Sequence, residues 1–178
     1  MEQQRDDGNE SARRREIVAA ARELLEQEGA DALSMRRLAD RIGIRAPSIY
    51  KHLPDKRALE NALISAGFEE LAAAFHDALR GASEPASAIA FAYRGFARAH
   101  PHLYRLMTER PLDRENLVPG AEERAAQPLV EAFGGDVDLA RAAWAFAHGL
   151  TILELNDRFP ADADVEAAWQ RGLAAFRR

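Results

Sequence analysis

Apolar residues along this chain recur at spacings of three and four, so the pattern predicts helices throughout and no strand. Ile17, Val18, Ala21, Leu24 and Leu25 mark a first stripe over residues 11–28, which Gly29 stops. Ser34 then offers an N-cap, since its hydroxyl can accept from a backbone N–H that has no partner inside the helix. Leu38, Ala39 and Ile42 form one face of a short second helix, and Gly43 stands at its C′ position, where a positive φ is needed. Arg45 or Ala46 starts a third helix with Pro47 in its first turn, where a missing N–H costs nothing. Ile49 and Leu53 face inward and leave Ser48, Tyr50, Lys51 and His52 outside. Two short helices joined by so tight a turn make a helix-turn-helix.

Asp55 is the expected N-cap of a long helix over residues 55–80, with Leu59, Leu63, Phe68, Leu71, Phe75 and Leu79 on its apolar face. Gly67 within it is a soft point, costing up to ~1 kcal/mol relative to alanine. Residues 81–85 form a linker. Beyond it the pattern predicts a helix over 85–99 carrying Ile89, Phe91, Tyr93 and Phe96, broken by His100-Pro101-His102. A short apolar helix over 103–107, a polar loop over 110–119 and a helix over 121–133 follow. Asp138 is expected to cap a helix over 139–156, and Asp162 or Asp164 to start the last one, ending near Phe176. The helix over 139–156 is apolar on two faces. Leu139, Ala143, Phe146, Leu150 and Leu153 lie on one; Trp144, Ala147, Thr151 and Leu155 lie on another, with His148 close by. Two such faces call for a core on one side and a second subunit on the other. The last helix, with Val165, Trp169, Leu173 and Phe176, offers a partner surface.

The fold class is therefore all-α, with about nine helices. A disordered arm over 1–10 precedes a helix-turn-helix domain over 11–56 that extends into the long helix. A helical domain over 81–178 completes the chain. The absence of cysteine excludes disulfides and thiolate catalysis and fits a cytoplasmic location. No apolar run reaches the ~18 residues of a membrane span, and the polar, acidic start is no signal peptide. The net charge of −5 argues against nucleic acid until it is divided along the chain. Residues 1–10 hold one basic and four acidic groups (−3), residues 11–60 eleven and eight (+3), and residues 61–178 twelve and seventeen (−5). A basic end on an acidic body suits docking on DNA through one face.

The stretch Ile-Gly-Ile-Arg-Ala-Pro-Ser-Ile-Tyr-Lys-His-Leu-Pro-Asp-Lys-Arg-Ala-Leu, residues 42–59, resembles the DNA-binding signature of the TetR family of transcriptional regulators. Gly43, Tyr50, His52, Lys56 and Leu59 all fall in the family's spacing. Two later stretches, residues 96–107 and Trp144-Ala-Phe-Ala-His-Gly-Leu150, resemble the C-terminal domain class of that family known for a Trp, His and Gly cluster. The resemblance implies a dimer built by the last two helices, a pocket for an apolar or aromatic small molecule in each subunit, double-stranded DNA as partner, and no metal or organic cofactor.

It also implies site residues. Ser34 and Arg36 open the second helix, and Arg36 reaches a base there or else is a solvated arginine; an arginine pairing with guanine contributes ~1–3 kcal/mol of discrimination. Ala46, Pro47 and Ser48 match base-reading positions, with apolar contact to a thymine methyl as the chemistry open to the first two and Arg45 as a source of polar readout. The Tyr50 hydroxyl, Lys51, His52 and Lys56 are phosphate candidates, His52 having packing at the domain seam as its alternative. Arg13, Arg14 and Arg15 are a solvated run or further phosphate contacts. The pocket candidates are Phe91, Phe96, Leu103, Tyr104, Met107, Trp144 and His148, and the dimer candidates Phe146, Leu150, Leu153, Trp169, Leu173 and Phe176. His148, alone on an apolar face, reads by default as a satisfied core histidine, with a polar group of the pocket or its wall as the alternative. His100 and His102 lack helical metal spacing. The rival functions are a helical interaction protein with a vestigial helix-turn-helix and a small helical enzyme. The sequence carries no Gly-x-Ser-x-Gly elbow, phosphate loop or His-Glu-x-x-His to support the enzyme.

Overall fold

A computed structural model describes the backbone of residues 2–176 and the side chains of residues 12–176; the side chains of the expected arm lie outside that range. Nine α-helices and two 3-10 turns make up the described residues, as an all-α pattern requires. They are α1 (Glu2–Glu28), α2 (Met35–Arg41), α3 (Ala46–Tyr50), α4 (Lys56–Leu79), α5 (Pro85–Ala99), α6 (Pro101–Thr108), α7 (Ala121–Ala132), α8 (Val137–Leu155) and α9 (Val165–Ala174). The expected disordered arm is instead the start of α1. Once a helix is nucleated on the Ile17–Leu25 stripe, extending it costs little, and no proline stands in residues 2–16 to stop it.

Two compact units share the chain: Met1–Gly67 with His102–Pro119, and Phe68–Pro101 with Gly120–Arg178. This division departs from the boundary expected at residue 81. The reason lies in α6, which joins the first unit. Leu103 donates its N–H to the Glu26 carboxylate of α1 at 3.3 Å. Leu103 and Met107 also press on Gly67 of α4: a Cβ there would stand 2.5 Å from the Met107 sulfur. Gly67 is thus a close approach between helices, not merely a soft point.

Inside the first unit Ile17, Leu24, Leu25, Leu38, Ile49, Leu53, Leu59, Leu63, Leu103 and Tyr104 are buried. In the second, α5 packs on α7 and α8, and α8 on α7 and α9. Trp169 of α9 lies fully buried, 5.9 Å from the Phe91 ring and 5.8 Å from that of Phe146. Arg94 of α5 lies over the Trp169 ring at 5.2 Å and bonds Glu154 of α8 (2.9 Å) and Glu166 of α9 (2.8 Å). Burial opposes the Arg94 charge, but the two carboxylates outweigh it and raise the guanidinium pKa further. The Glu154 carboxylate also accepts from the Trp169 indole at 2.5 Å, so one ion cluster pins three helices.

Helix caps follow the sequence with one correction. Asp55 accepts from the Ala58 N–H at 2.7 Å and Asp164 from that of Ala167 at 2.9 Å. Asp136, not Asp138, caps α8, accepting from the Leu139 N–H at 3.0 Å, because α8 begins two residues early at Val137.

Candidate nucleic-acid interface

The surface formed by α2, α3 and the turn after α3 is built from backbone constraints outward. Ser34 accepts from the Arg37 N–H at 3.2 Å and starts α2. The helix ends in a doubly bonded turn: Ile44 N–H donates to Ala39 O (3.0 Å) and Gly43 N–H to Asp40 O (3.4 Å). That closure places Gly43 at φ +68°, and nothing lies within 4 Å of where its Cβ would be, so backbone conformation alone demands the glycine. Arg45 caps α3 and Pro47 stands in its first turn. Ile49 and Leu53 are buried, which turns the rest of α3 outward.

The arginines nearby divide into two groups. Arg37 pairs with Glu28, Arg41 with Glu23 at 3.3 Å and Gln27 at 3.0 Å, and Arg13 with Glu16. The first two tie α2 to α1. Arg36, Arg45 and Lys51 are exposed, and their side chains carry no hydrogen bond or ion pair to any described residue. The Tyr50 hydroxyl has no such partner either, and the residue is 48% exposed, the most exposed large apolar side chain among the described residues. Arg14 and Arg15 are likewise exposed without a described partner. Pro47 is exposed; Ala46, Ser48 and His52 are half-buried.

Lys56 stands differently. Its ammonium donates to Ala30 O at 3.3 Å and lies 3.7 Å from Glu60, so it already closes the start of α4 onto the 3-10 turn after α1. Sequence reasoning missed what lies behind it. Asp113 accepts from Arg57 Nε at 2.6 Å, Asn61 at 3.1 Å and Asn116 at 3.0 Å. The hydrogen bonds from Asn61 and Asn116, joined by that from Arg57, hold its carboxyl below the usual range. Ser65 donates to Asn61 O at 2.8 Å and accepts from Val118 N–H at 3.0 Å. Arg110 reaches Glu60 at 3.2 Å. The only sequence signal was two polar residues, Asn61 and Ser65, on the apolar side of a long helix.

Two family models match the chain. A model described as bacterial regulatory proteins, tetR family, matches residues 17–63, and one described as Tetracyclin repressor-like, C-terminal domain, matches residues 86–176. The chain belongs to the TetR family of transcriptional regulators. It is 29% identical over 166 residues to an uncharacterised HTH-type transcriptional regulator of Mycobacterium tuberculosis, covering 88% of this chain and 76% of that one. A Rhodococcus protein of unknown function superposes with a TM-score of 0.78 at 30% identity, covering 92% of each chain. A TetR variant from Acinetobacter baumannii in complex with minocycline superposes with a TM-score of 0.62 at 26% identity, covering 90% of this chain and 91% of that one. This TetR-family regulator therefore binds DNA, and its family is not an enzyme class.

The remaining candidates are rearranged. Leu103, Tyr104 and Met107 belong to the first compact unit, and Phe91, Phe96, Trp144 and His148 to the second. Trp144 is 47% exposed, not a core side chain; its indole donates to the Tyr93 hydroxyl at 3.2 Å, which lies 3.4 Å from His148 Nδ1. Trp169 and Leu173 are buried within the chain's own second unit. Phe146 and Phe176 are half-buried and stack on each other at 5.7 Å. The outward face of α8 carries Ala142, Ala145, Gly149 and Leu153, all exposed, with Leu150 half-buried at its edge. The buried stripe of α8 is Ala140, Ala143, Ala147 and Thr151, which combines members of both faces expected from the sequence. Among the described residues no cluster could hold a metal, and no helix is long and apolar enough to cross a membrane.

Proposed function

We propose that this protein is a cytoplasmic, dimeric repressor that binds a palindromic operator and responds to a small molecule. The observation that carries the DNA contact is the set of side chains without a described partner on α2, α3 and the turn after α3, Arg36, Arg45, Tyr50 and Lys51, beside Arg37 and Arg41, which are paired. Arg36 is the base reader, with Arg45 and the apolar Ala46 and Pro47 contributing at the start of α3; Tyr50, Lys51 and His52 hold phosphates. Lys56 joins them once it leaves Glu60. Two heads engage half-sites about 34–36 Å apart, one turn of DNA. The small exposed residues of α8 support close approach of a second α8, with Leu153 at the contact. The minocycline-bound neighbour supports an apolar or aromatic effector.

Selection of bound sequences from a random duplex pool at near-physiological salt tests this reading. Recovery of an inverted repeat supports it. Recovery of no motif, with purely salt-sensitive binding, refutes specific dimeric recognition and leaves a vestigial helix-turn-helix on a helical interaction protein.

A further inference from the structure

Residues 110–118 run along the first half of α4 and are held there at four successive points of one helix face. Arg57 meets Asp113, Glu60 meets Arg110, Asn61 meets Asp113, and Ser65 meets Val118. Asn61 and Ser65 are 5% and 3% exposed, so the strap is built in, and the two polar groups are satisfied by it. The cation it meets first is unusual. The Arg57 side chain is 71% exposed, and only its Nε is engaged; its terminal amino groups have no partner among the described residues. Arg57 directly follows Lys56, whose ammonium stands beside the Glu60 carboxylate. Each cation in the first turn of α4 thus has a carboxylate on it, Asp113 from the strap and Glu60 from the helix. Arg36, Arg45 and Lys51 of the reading surface carry no carboxylate, in contrast to Arg37 and Arg41 beside them.

We propose that Asp113 is a mask: its carboxylate occupies Arg57 in the free protein and competes with DNA phosphate for it, lowering affinity for DNA of any sequence while leaving the base-reading residues untouched. This rests on the DNA-facing surface argued above. A phosphate oxygen and a carboxylate oxygen make the same charge-assisted hydrogen bond to a guanidinium, so the two ligands exclude one another at Nε. Arg57 would contribute one further phosphate contact when released, and each such contact steepens the dependence of log K on log salt by about 0.9.

The experiment measures binding of the full chain to a mixed-sequence duplex of 40 base pairs across a salt series. Asp113→Asn keeps the shape and the acceptor for Asn61 but removes the charge. Its affinity is expected to rise about threefold to fivefold at low salt, the span of an exposed ion pair, and its salt slope to steepen by about one. Arg57→Gln alone is expected to leave the slope unchanged, because the cation it removes is masked, and Arg57→Gln added to Asp113→Asn should return the slope to that of the parent. An unchanged or shallower slope in Asp113→Asn overturns the mask and makes Asp113 a purely structural brace. If that variant fails to fold, Arg57→Gln decides: a slope shallower by about one shows that Arg57 already holds a phosphate, which also overturns it. A parent protein with no salt-sensitive binding overturns both the mask and the DNA-facing surface, whereas specific binding with an unaltered slope in Asp113→Asn overturns the mask alone.

Discussion

Replacing Gly43 with alanine perturbs the turn between α2 and α3 through backbone conformation alone. The glycine stands at φ +68°, and a Cβ built on it meets nothing within 4 Å, so no clash contributes. An L-residue in the left-handed region costs roughly 1–2 kcal/mol. Alanine also restricts the unfolded chain, which returns about 0.4–1 kcal/mol in favour of folding. The net expectation is a loss of about 1 kcal/mol, or about 2–4 °C in Tm for a chain of this size. Gly95 supplies the control. It too has open space around its missing Cβ, but it sits within α5 at no positive φ, so Gly95→Ala should stabilise by up to about 1 kcal/mol. Asparagine tolerates the left-handed region, so Gly43→Asn should fall between glycine and alanine. Thermal melts followed by circular dichroism compare the three variants with the parent. A shift of the same sign for Gly43→Ala and Gly95→Ala would refute the reasoning, since only backbone conformation distinguishes the two sites.

Tyr50→Phe should weaken DNA binding about tenfold, the scale of one hydrogen bond to a charged acceptor, with the oligomeric state in gel filtration unchanged; equal affinity removes Tyr50 from the interface. Arg36→Ala should lower affinity for the selected operator by ~1–3 kcal/mol while changing mixed-sequence binding little, and a uniform loss recasts it as a phosphate contact. Arg94→Met leaves the Glu154 charge half-buried beside the Trp169 indole and should cost about 3 kcal/mol in urea unfolding, partly restored by adding Glu154→Gln; no loss would show that the cluster is not needed to pin α9. The folded state depresses the Asp113 carboxyl, so its stabilisation is present in full above about pH 4 and is lost as pH falls through the lower folded value. The melting difference between parent and Asp113→Asn should therefore narrow as pH falls below about 4, and a difference that does not narrow on acidification contradicts the assignment.

The head was legible because its determinants are local. Ser34, Gly43, Pro47 and Asp55 each act within four residues of their own position, through a cap, a positive φ, a first-turn proline and a second cap. The caps and breaks of the later helices are local too, and only Asp136 against Asp138 was misplaced. What failed was long-range. Asp113 and Asn61 are 52 residues apart, and Arg94 and Glu166 are 72 apart. Neither spacing has a periodic signature, since which helix faces which is fixed by packing and not by local propensity. For the same reason a list of aromatic residues at helical spacing could not be sorted into pocket, core and interface. Trp169 and Trp144 look alike in sequence; one is enclosed by Phe91, Phe146 and Arg94, and the other stands half in solvent.

That sorting changes where the effector proposed above would act in the second unit. In the ion cluster of α5, α8 and α9 the Arg94 and Glu154 side chains are each 13% exposed, and they are mutually satisfied together with Trp169 and Glu166. A satisfied buried network resists a change of partner, because any movement of α9 against α8 leaves a charge without its counter-ion. The Tyr93–Trp144–His148 chain is looser: its bonds are 3.2 and 3.4 Å, and one member is half in solvent. If the proposed effector reorganises α8 against α5, the softer end of that contact is at Trp144, ten residues along α8 from Glu154, whose cluster holds the other end fixed. A hinge between a rigid ion cluster and a yielding aromatic one is a physical route by which one helix could tilt without the unit unfolding.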